Sequence, residues 1–373
     1  MPFYLLIIVL STFFFYCCEK NYKRNSALFC IFYFLYVMIL TLLGGFRDDT
    51  VGEDLMVYGI SFFDNARHTK NLYDLFDNIN GEYAYHILNW LCGKISKDIH
   101  FLFFVMEFSK IVLVSSTALY FRKRINATLF IFAYLCFFYF TGYSILRQSL
   151  AIAISIYGLR YWFAQKQLKF LTICFIALLF HSSALVMFLI FPIAWIANKG
   201  AKTAILVNVA CIAATFMGMM AIMDLLKVLD MGILSDKAVL YTEVREGVPT
   251  AKTNILLAIT FLFVAIMYNW RSRMYDKKEF NIFIVLILWN LFFLLMSQYL
   301  EVMFRCSWYQ IPFLMMMYLE CSKRCRTKIL LDGIFAILFF VHFMIAADYG
   351  LSGTIPYASK TLGIYRYESY STY

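Results

Sequence analysis

The feature that most constrains this chain is a succession of apolar stretches, each about long enough to cross a lipid bilayer. Residues 28–45, for example, contain no charged side chain, and about 20 apolar residues in a helix span the hydrocarbon core. Because a bilayer offers no water to backbone N–H and C=O groups, such stretches are expected to be helices. With 62% apolar and only 15% charged residues, the chain is not a soluble globular protein.

We predict an all-α, polytopic integral membrane protein with about twelve transmembrane helices in a single domain, 1–373. The predicted spans are 3–18, 28–45, 100–121, 126–141, 143–164, 168–182, 183–198, 203–223, 253–270, 280–299, 303–320 and 329–347. The segment 84–97 is too short and too interrupted to cross, so the loop that contains it is predicted to be partly re-entrant or to lie along the interface.

The charges orient these helices. The even-numbered connections hold 19 of the 33 Lys and Arg residues, and positively charged connections stay on the cytoplasmic side. Both termini are therefore predicted to face outward, with an outer loop at 46–99, a second at 224–252 and a tail at 348–373. The net charge of +10 then reflects attraction to the anionic inner leaflet, and no nucleic acid is expected as a partner.

Four basic residues break this pattern because they fall at predicted outer ends of spans: Arg47, Arg147, Arg305 and His181. A single arginine there can simply raise its head group to the interface. Several at one face indicate a polyanionic ligand, because the guanidinium fork matches phosphate oxygens. A pyrophosphate at the membrane surface fits this pattern.

The predicted span that carries Arg147 has a stripe of small and polar residues at steps of three or four. The stripe consists of Ser144, Gln148, Ala151, Ser155 and Gly158. Such a face either packs against another helix or lines a cavity. We expect packing for its lower part, and a ligand-facing role for Arg147 and Gln148 at its top.

Carboxylates in the first outer loop are candidates for acid–base chemistry. Asp48, Asp49, Glu53 and Asp54 follow a Gly–Gly pair, and Glu82 and Tyr83 lie further on. The spacing is not that of an EF-hand, so a solvated loop or a general base is favoured over a metal site. In the middle of another predicted span, Glu107 and Lys110 are three residues apart and are expected to pair with each other.

Taken together and in order, these residues resemble a known family. The matching positions are Gly45, Arg47, Gly52, Asp54, Tyr58, Arg147, Gln148, Ala151, His181, Ser182, Arg305 and Tyr309. They resemble the EpsG-like branch of Wzy-type polysaccharide polymerases over roughly residues 40 to 320. Glu53 departs from the pattern, since a small residue such as Thr is expected before the Asp.

The resemblance implies an enzyme of the bacterial cytoplasmic (inner) membrane. It would join lipid-linked oligosaccharide repeat units on the outer face, with a glycan on undecaprenyl pyrophosphate as donor. The product would be a capsule, O-antigen or exopolysaccharide chain. The implied partners are that glycan, the lipid bilayer and a chain-length regulator protein, and no cofactor is expected.

Combined with the residue analysis, the resemblance assigns roles as hypotheses. Arg147 and Arg305 would hold the pyrophosphate, with Arg47 as a third contact. Asp54, Glu82 and His181 would be candidates for accepting the proton of the acceptor hydroxyl, while Gln148, Tyr58 and Tyr83 would bind substrate. The alternatives are a lipid-linked oligosaccharide flippase or other transporter, an O-antigen ligase, and a membrane acyltransferase that modifies glycans.

Overall fold

A computed structural model describes residues 1–77, 81–228, 249–267, 277–297, 299–351 and 353–365. In this part of the chain the regular structure is helical, apart from an isolated bridge between Ser359 and Ile364. The all-α prediction is therefore confirmed. Most of the predicted second outer loop lies outside the described residues, as do the last residues of the tail.

The chain divides into two compact units, Met1–Ala184 with the chain from Phe335 onward, and Leu185–Ile334. The helices that begin in the first stretch are α1 (Pro2–Asn21), α2 (Ser26–Gly45), α3 (Ile60–His68), α4 (Leu72–Asp77), α5 (Tyr83–Ile95), α6 (Ile99–Phe121), α7 (Ala127–Tyr134), α8 (Leu146–Phe163) and α9 (Gln167–Phe180). Those that follow are α10 (Ile190–Ala197), α11 (Ala201–Val228), α12 (Pro249–Met267), α13 (Lys277–Met296), α14 (Glu301–Ser307), α15 (Ile311–Arg324) and α16 (Lys328–Asp348).

Six of the described helices are long and apolar enough to cross a membrane: α1, α2, α6, α11 (over residues 201–218), α13 and α16. Shorter apolar helices of 10 to 17 residues cover 127–139, 167–180, 182–197 and 252–266. These features are those of a polytopic membrane protein. The count of twelve spans and the outward-facing termini stay predictions.

Short polar side chains start several of these helices. The carboxamide oxygens of Asn25 and Asn126 accept hydrogen bonds from the backbone N–H groups of Leu28 (3.1 Å) and Leu129 (3.2 Å). Each bond satisfies one of the N–H groups that the first turn of a helix leaves without a partner. Helices α2 and α7 therefore begin directly after an asparagine that precedes an apolar stretch.

One predicted span is divided in two. The stretch 303–320 forms α14 and α15, separated by a turn at 308–310. Pro312 lies at the start of α15, where its missing N–H costs no helical hydrogen bond, whereas in the interior of a continuous helix it would. The proline therefore marks a helix start inside what hydropathy alone treats as one span.

The lower part of the stripe of small and polar residues on α8 packs against neighbouring helices, as predicted. Ala151, Ser155 and Gly158 are buried, and α8 lies along α6 and α9. A β-carbon at Gly158 would lie 2.9 Å from Cγ2 of Ile173 on α9, closer than side chains tolerate. The absence of a side chain at this position allows α8 and α9 to approach each other.

Candidate functional site

Arg147 lies in the first turn of α8, directly after a short 3₁₀ turn at Thr141–Tyr143. Its guanidinium donates to the carboxylate of Glu82 through Nη1. The side chains are only about one-fifth and one-seventh exposed, respectively, so solvent screens this ion pair less than it would a surface pair. The arginine is thus partly neutralised by its own carboxylate partner.

Glu82 is held in an unusual backbone conformation. It caps α5 with φ 51° and ψ 38°, in the left-handed region, and follows Gly81, which has φ 84°. A residue with a β-carbon rarely adopts this conformation, and such strain is concentrated at functional sites. The backbone at this turn directs the carboxylate toward α8 and α9.

His181 follows α9 and completes a group of three. Its Nδ1 is 2.6 Å from Oγ of Ser183 and accepts a hydrogen bond from the Ser183 backbone N–H at 3.3 Å. When the imidazole is neutral, this acceptor role of Nδ1 places its proton on Nε2. That nitrogen is 3.7 Å from Oε1 of Glu82. We call Arg147, Glu82 and His181 the cavity cluster.

Two residues of the predicted first outer loop, Asp54 and Tyr58, adjoin the cavity cluster. The chain passes through a π-helical turn at Leu55–Gly59, a geometry that is often found at functional sites. From this turn Tyr58 donates its hydroxyl proton to Asp54. The centre of the Tyr58 ring is 4.2 Å from Cζ of Arg147, within range of a cation–π contact. Burial, followed by the charge of Asp54, raises the pKa of Tyr58, so its hydroxyl remains a donor.

Two members of the cavity cluster, Glu82 and Arg147, line a cavity of about 950 Å³, formed by α3, α4, α5 and the start of α8. Its lining residues are Phe62, Asn65, Ala66, His68, Thr69, Lys70, Asp74, Leu75, Gly81, Glu82, His86 and Arg147. An aromatic ring, a hydroxyl, an amide, two imidazoles and charges of both signs therefore face one space. Such a mixture suits a hydroxyl-rich ligand with an anionic end.

His86 is a lining residue that the sequence analysis missed. Its ring centre lies 5.0 Å from that of Phe62, and burial together with the charge of Arg147 lowers its pKa. The imidazole is therefore neutral at pH 7. One signal was available: His86 is four residues after Glu82, so a helix that starts there places both on one face.

Of the nine predicted site residues, Glu82 and Arg147 line the cavity, and three more are joined to them by the contacts described above: Asp54, Tyr58 and His181. The other four lie elsewhere. Gln148 is buried and Tyr83 is 44% exposed, and neither lines the cavity. Arg305 belongs to α14, in the second compact unit. Its predicted contact with pyrophosphate stays a prediction.

Arg47 is fully buried inside the first unit, away from the cavity lining. Its Nη1 donates to the backbone oxygen of Gly44 and lies 3.4 Å from Oε1 of Glu107. The guanidinium carbon lies 4.4 Å and 4.6 Å from the ring centres of Phe103 and Tyr143. These contacts hold the guanidinium among protein groups, while its Nε and Nη2 have no hydrogen-bond partner among the described residues. The predicted contact of Arg47 with substrate stays a prediction.

The predicted pair of Glu107 and Lys110 is confirmed, with 2.7 Å between Lys110 Nζ and Glu107 Oε1. Arg47 is a third member that the sequence analysis did not include. We call Arg47, Glu107 and Lys110 the sealed cluster, because their side chains are at most 2% exposed. Two cations share one carboxylate oxygen, which leaves the cluster with a surplus positive charge.

Gly44 makes room for the sealed cluster. A β-carbon at this position would lie 2.3 Å from Cγ of Glu107, so any side chain would displace the carboxylate. One residue of the Gly–Gly pair therefore serves packing as well as the end of α2.

Within the described ranges, no group of three or more His, Cys, Asp or Glu side chains is arranged to hold a metal ion. Among the acids of the first outer loop, Asp48 accepts a hydrogen bond from the backbone of Lys360, at 2.8 Å, and Asp54 accepts one from Tyr58. Both are engaged by protein donors.

The chain was compared with family models, with curated proteins and with solved structures. A family model described as the EpsG family matches residues 30–359, which is most of the chain and includes every residue of both clusters. Neither the curated proteins nor the solved structures include a match.

Proposed function

Because the chain belongs to the EpsG family of Wzy-like polysaccharide polymerases, we propose that it is a glycosyltransferase that joins lipid-linked oligosaccharide repeat units. In this proposal the donor is a glycan on undecaprenyl pyrophosphate and the acceptor is a second lipid-linked unit. The reaction takes place on the outer face of the cytoplasmic membrane, and a chain-length regulator is the expected protein partner.

The observation that carries the proposal is that Arg147 and Glu82 line one cavity as an ion pair, with His181 beside Glu82. Glycosyl transfer from pyrophosphate needs a cation for the leaving group and an acceptor for the proton of the attacking hydroxyl. The three side chains supply a cation, a carboxylate and an imidazole: Arg147 donates to one oxygen of Glu82, and Nε2 of His181 lies 3.7 Å from the other. The cavity volume, about 950 Å³, is at the upper end of the range for ligand pockets and suits an oligosaccharide.

In the proposed reaction the acceptor hydroxyl oxygen attacks the anomeric carbon of the donor sugar. The bond between that carbon and the pyrophosphate oxygen breaks, and the pyrophosphate leaves with the electron pair. The proton of the hydroxyl passes to the carboxylate of Glu82. The imidazole of His181 lies beside that carboxylate, with Nε2 3.7 Å from its second oxygen.

The ion pair between Arg147 and Glu82 links proton transfer from the acceptor hydroxyl to departure of the pyrophosphate. Before the reaction the Glu82 carboxylate balances the charge of Arg147. Once Glu82 takes the proton, its carboxyl group is neutral, and the full charge of Arg147 acts on the negative charge that develops on the pyrophosphate. The interaction is thus stronger in the transition state than in the ground state, which is the condition for acceleration.

A flippase for the same lipid is the principal alternative. It requires polar side chains along a path through the membrane, and the sequence offers three candidates for it: Glu107, Lys110 and the lower part of the small and polar stripe on α8. Glu107 and Lys110 belong to the sealed cluster and bond to each other, and the lower stripe packs against a neighbouring helix, so none of them favours a path. An O-antigen ligase would use the same donor and transfer the glycan to a lipid A core.

The test uses purified protein in nanodiscs with a repeat unit linked to undecaprenyl pyrophosphate, without ATP or nucleotide sugar. The wild type should produce a ladder of longer glycans. Glu82→Gln keeps the shape of the side chain and removes its basicity, so the rate should fall by about 10²–10⁴-fold, the usual contribution of general base catalysis.

Glu53→Gln is the matched control, because Glu53 lies in the same outer loop and is exposed. Its ladder should equal that of the wild type. Movement of the lipid across the bilayer without a ladder would favour the flippase. Transfer only to an added lipid A core would favour the ligase.

A further inference from the structure

The chain that follows α16 folds back over the first outer loop. We call residues 353–360 the strap. Thr354 and Ser359 are fully buried, and Tyr357 and Ala358 are nearly so. For a segment without helix or strand this burial is unusual, because its backbone groups need partners from elsewhere in the protein.

The first outer loop supplies many of those partners. The N–H of Asp48 donates to the oxygen of Ala358 (2.9 Å), and that of Gly52 donates to the oxygen of Gly353 (3.1 Å). In return, the backbone N–H of Lys360 donates to Oδ1 of Asp48 at 2.8 Å. The strap is thereby bonded to the loop at two points four residues apart.

The strap also contacts the turn that precedes α8. The hydroxyl of Thr354 donates to the backbone oxygen of Phe140 at 3.2 Å. On this turn Ser144 Oγ accepts a hydrogen bond from the N–H of Glu53 at 3.2 Å. A β-carbon at Gly52 would lie 2.5 Å from the oxygen of Tyr143, so loop and turn are in direct contact.

Loop and turn each lead directly into the site. Asp54 and Tyr58 follow Gly52 on the loop, and Arg147 follows the turn. We propose that the strap is a positioning element for glycosyl transfer, because it fixes the loop that carries Tyr58 against the turn that presents Arg147. The inference rests on the proposed polymerase function, and Asp48 and Thr354 are its positioning residues.

The test compares Asp48→Ala with Asp48→Asn in the nanodisc assay. Alanine removes the acceptor for the Lys360 N–H, whereas asparagine keeps an oxygen at the same place. We expect kcat to fall roughly tenfold to a hundredfold in Asp48→Ala, with KM within about twofold of the wild type, because a small misplacement of reacting groups has effects of this size. Asp48→Asn should restore most of the rate.

A second pair of variants, at Thr354, and a control variant, at Lys360, accompany this test. Thr354→Val should lower kcat in the same way, and Thr354→Ser should not, because serine keeps the hydroxyl. Lys360→Ala is the control: it removes an exposed side chain and leaves the backbone N–H in place. Its rate should equal that of the wild type.

Hydrogen exchange provides a readout that does not depend on activity. The amide of Gly52 should exchange faster in Asp48→Ala and Thr354→Val than in the wild type. Equal kcat values for Asp48→Ala and the wild type would overturn the inference. Equal losses in Asp48→Ala and Asp48→Asn would also overturn it, since the charge and not the position would then matter. If the wild type produces no ladder, the proposed function fails, while the exchange data still report whether the strap holds the loop.

Discussion

The cavity cluster and the sealed cluster contain nearly the same chemical groups in different surroundings. Each has an arginine paired with a glutamate and a third titratable side chain, His181 in one and Lys110 in the other. The Arg147–Glu82 pair is partly exposed and borders a cavity, whereas the Arg47–Glu107 pair is completely buried. An ion pair that a ligand can reach is available for catalysis. An ion pair that is enclosed by protein acts on the packing of the helices that carry it.

The largest effect that separates the two clusters is expected for Glu107→Gln. This change leaves two buried cations without their carboxylate, and breaking a buried pair in this way costs about 3–5 kcal/mol. Unfolding in detergent should show that loss, with Glu53→Gln as the exposed control. Equal stabilities for the two variants would mean that the sealed cluster is not structural.

Arg147→Lys should have the next largest effect, on rate and not on stability. Lysine keeps the charge and loses the fork that matches phosphate oxygens, so kcat should fall about 10²–10³-fold, or roughly 2.7–4 kcal/mol of barrier. Arg160→Lys, at the other end of α8, should leave the ladder unchanged. A normal rate in Arg147→Lys would remove Arg147 from the mechanism.

A smaller effect is expected for Lys110→Met, because it removes the surplus cation and leaves a balanced Arg47–Glu107 pair. The hydroxyl of Ser149 would keep its acceptors, the oxygens of Gly142 and Leu146. The stability should remain within about 1 kcal/mol of the wild type. A loss as large as that of Glu107→Gln would show that both cations are needed.

The smallest effect concerns pH. Because the pKa of His86 is lowered in the folded protein, the unfolded chain takes up the proton first as the pH falls. The contribution of His86 to stability is complete above its unfolded pKa of about 6.5 and is lost as the pH falls through the folded value. Thermal unfolding of His86→Gln between pH 7.5 and pH 5 should therefore show a weaker dependence on pH than the wild type. Identical slopes would contradict a buried neutral imidazole.

Apolar stretches predicted the helices well, because hydropathy decides which segments are helical in a membrane. They did not predict the break at 308–310, because hydropathy alone treats 303–320 as one span, whereas α15 starts at Ile311 with Pro312 in its first turn. The outer loop was harder. Its helices α3 and α4 are short, and their arrangement around a cavity depends on tertiary contacts that leave no periodic signal.

The site was predicted in part. Residues that broke the charge pattern, such as Arg147 and His181, do lie together. Arg47 broke the same pattern for another reason, namely its partner Glu107, which is 60 residues away in sequence. A charge out of place therefore indicates that a partner exists, and only the fold tells whether that partner is a ligand or another residue.

The strap also has a consequence for the order in which the protein is made. The hydroxyl of Tyr4 on α1 donates to the oxygen of Thr354 at 2.9 Å, so the first unit joins segments from both ends of the chain. A ribosome that synthesises this chain must complete residues 185–334 before it reaches the strap. During that interval α1 and the loop of residues 46–59 lack the strap, which is their final partner. A nascent chain that is released early would thus be inserted yet lack the contacts that hold Gly52 and Asp48 in place.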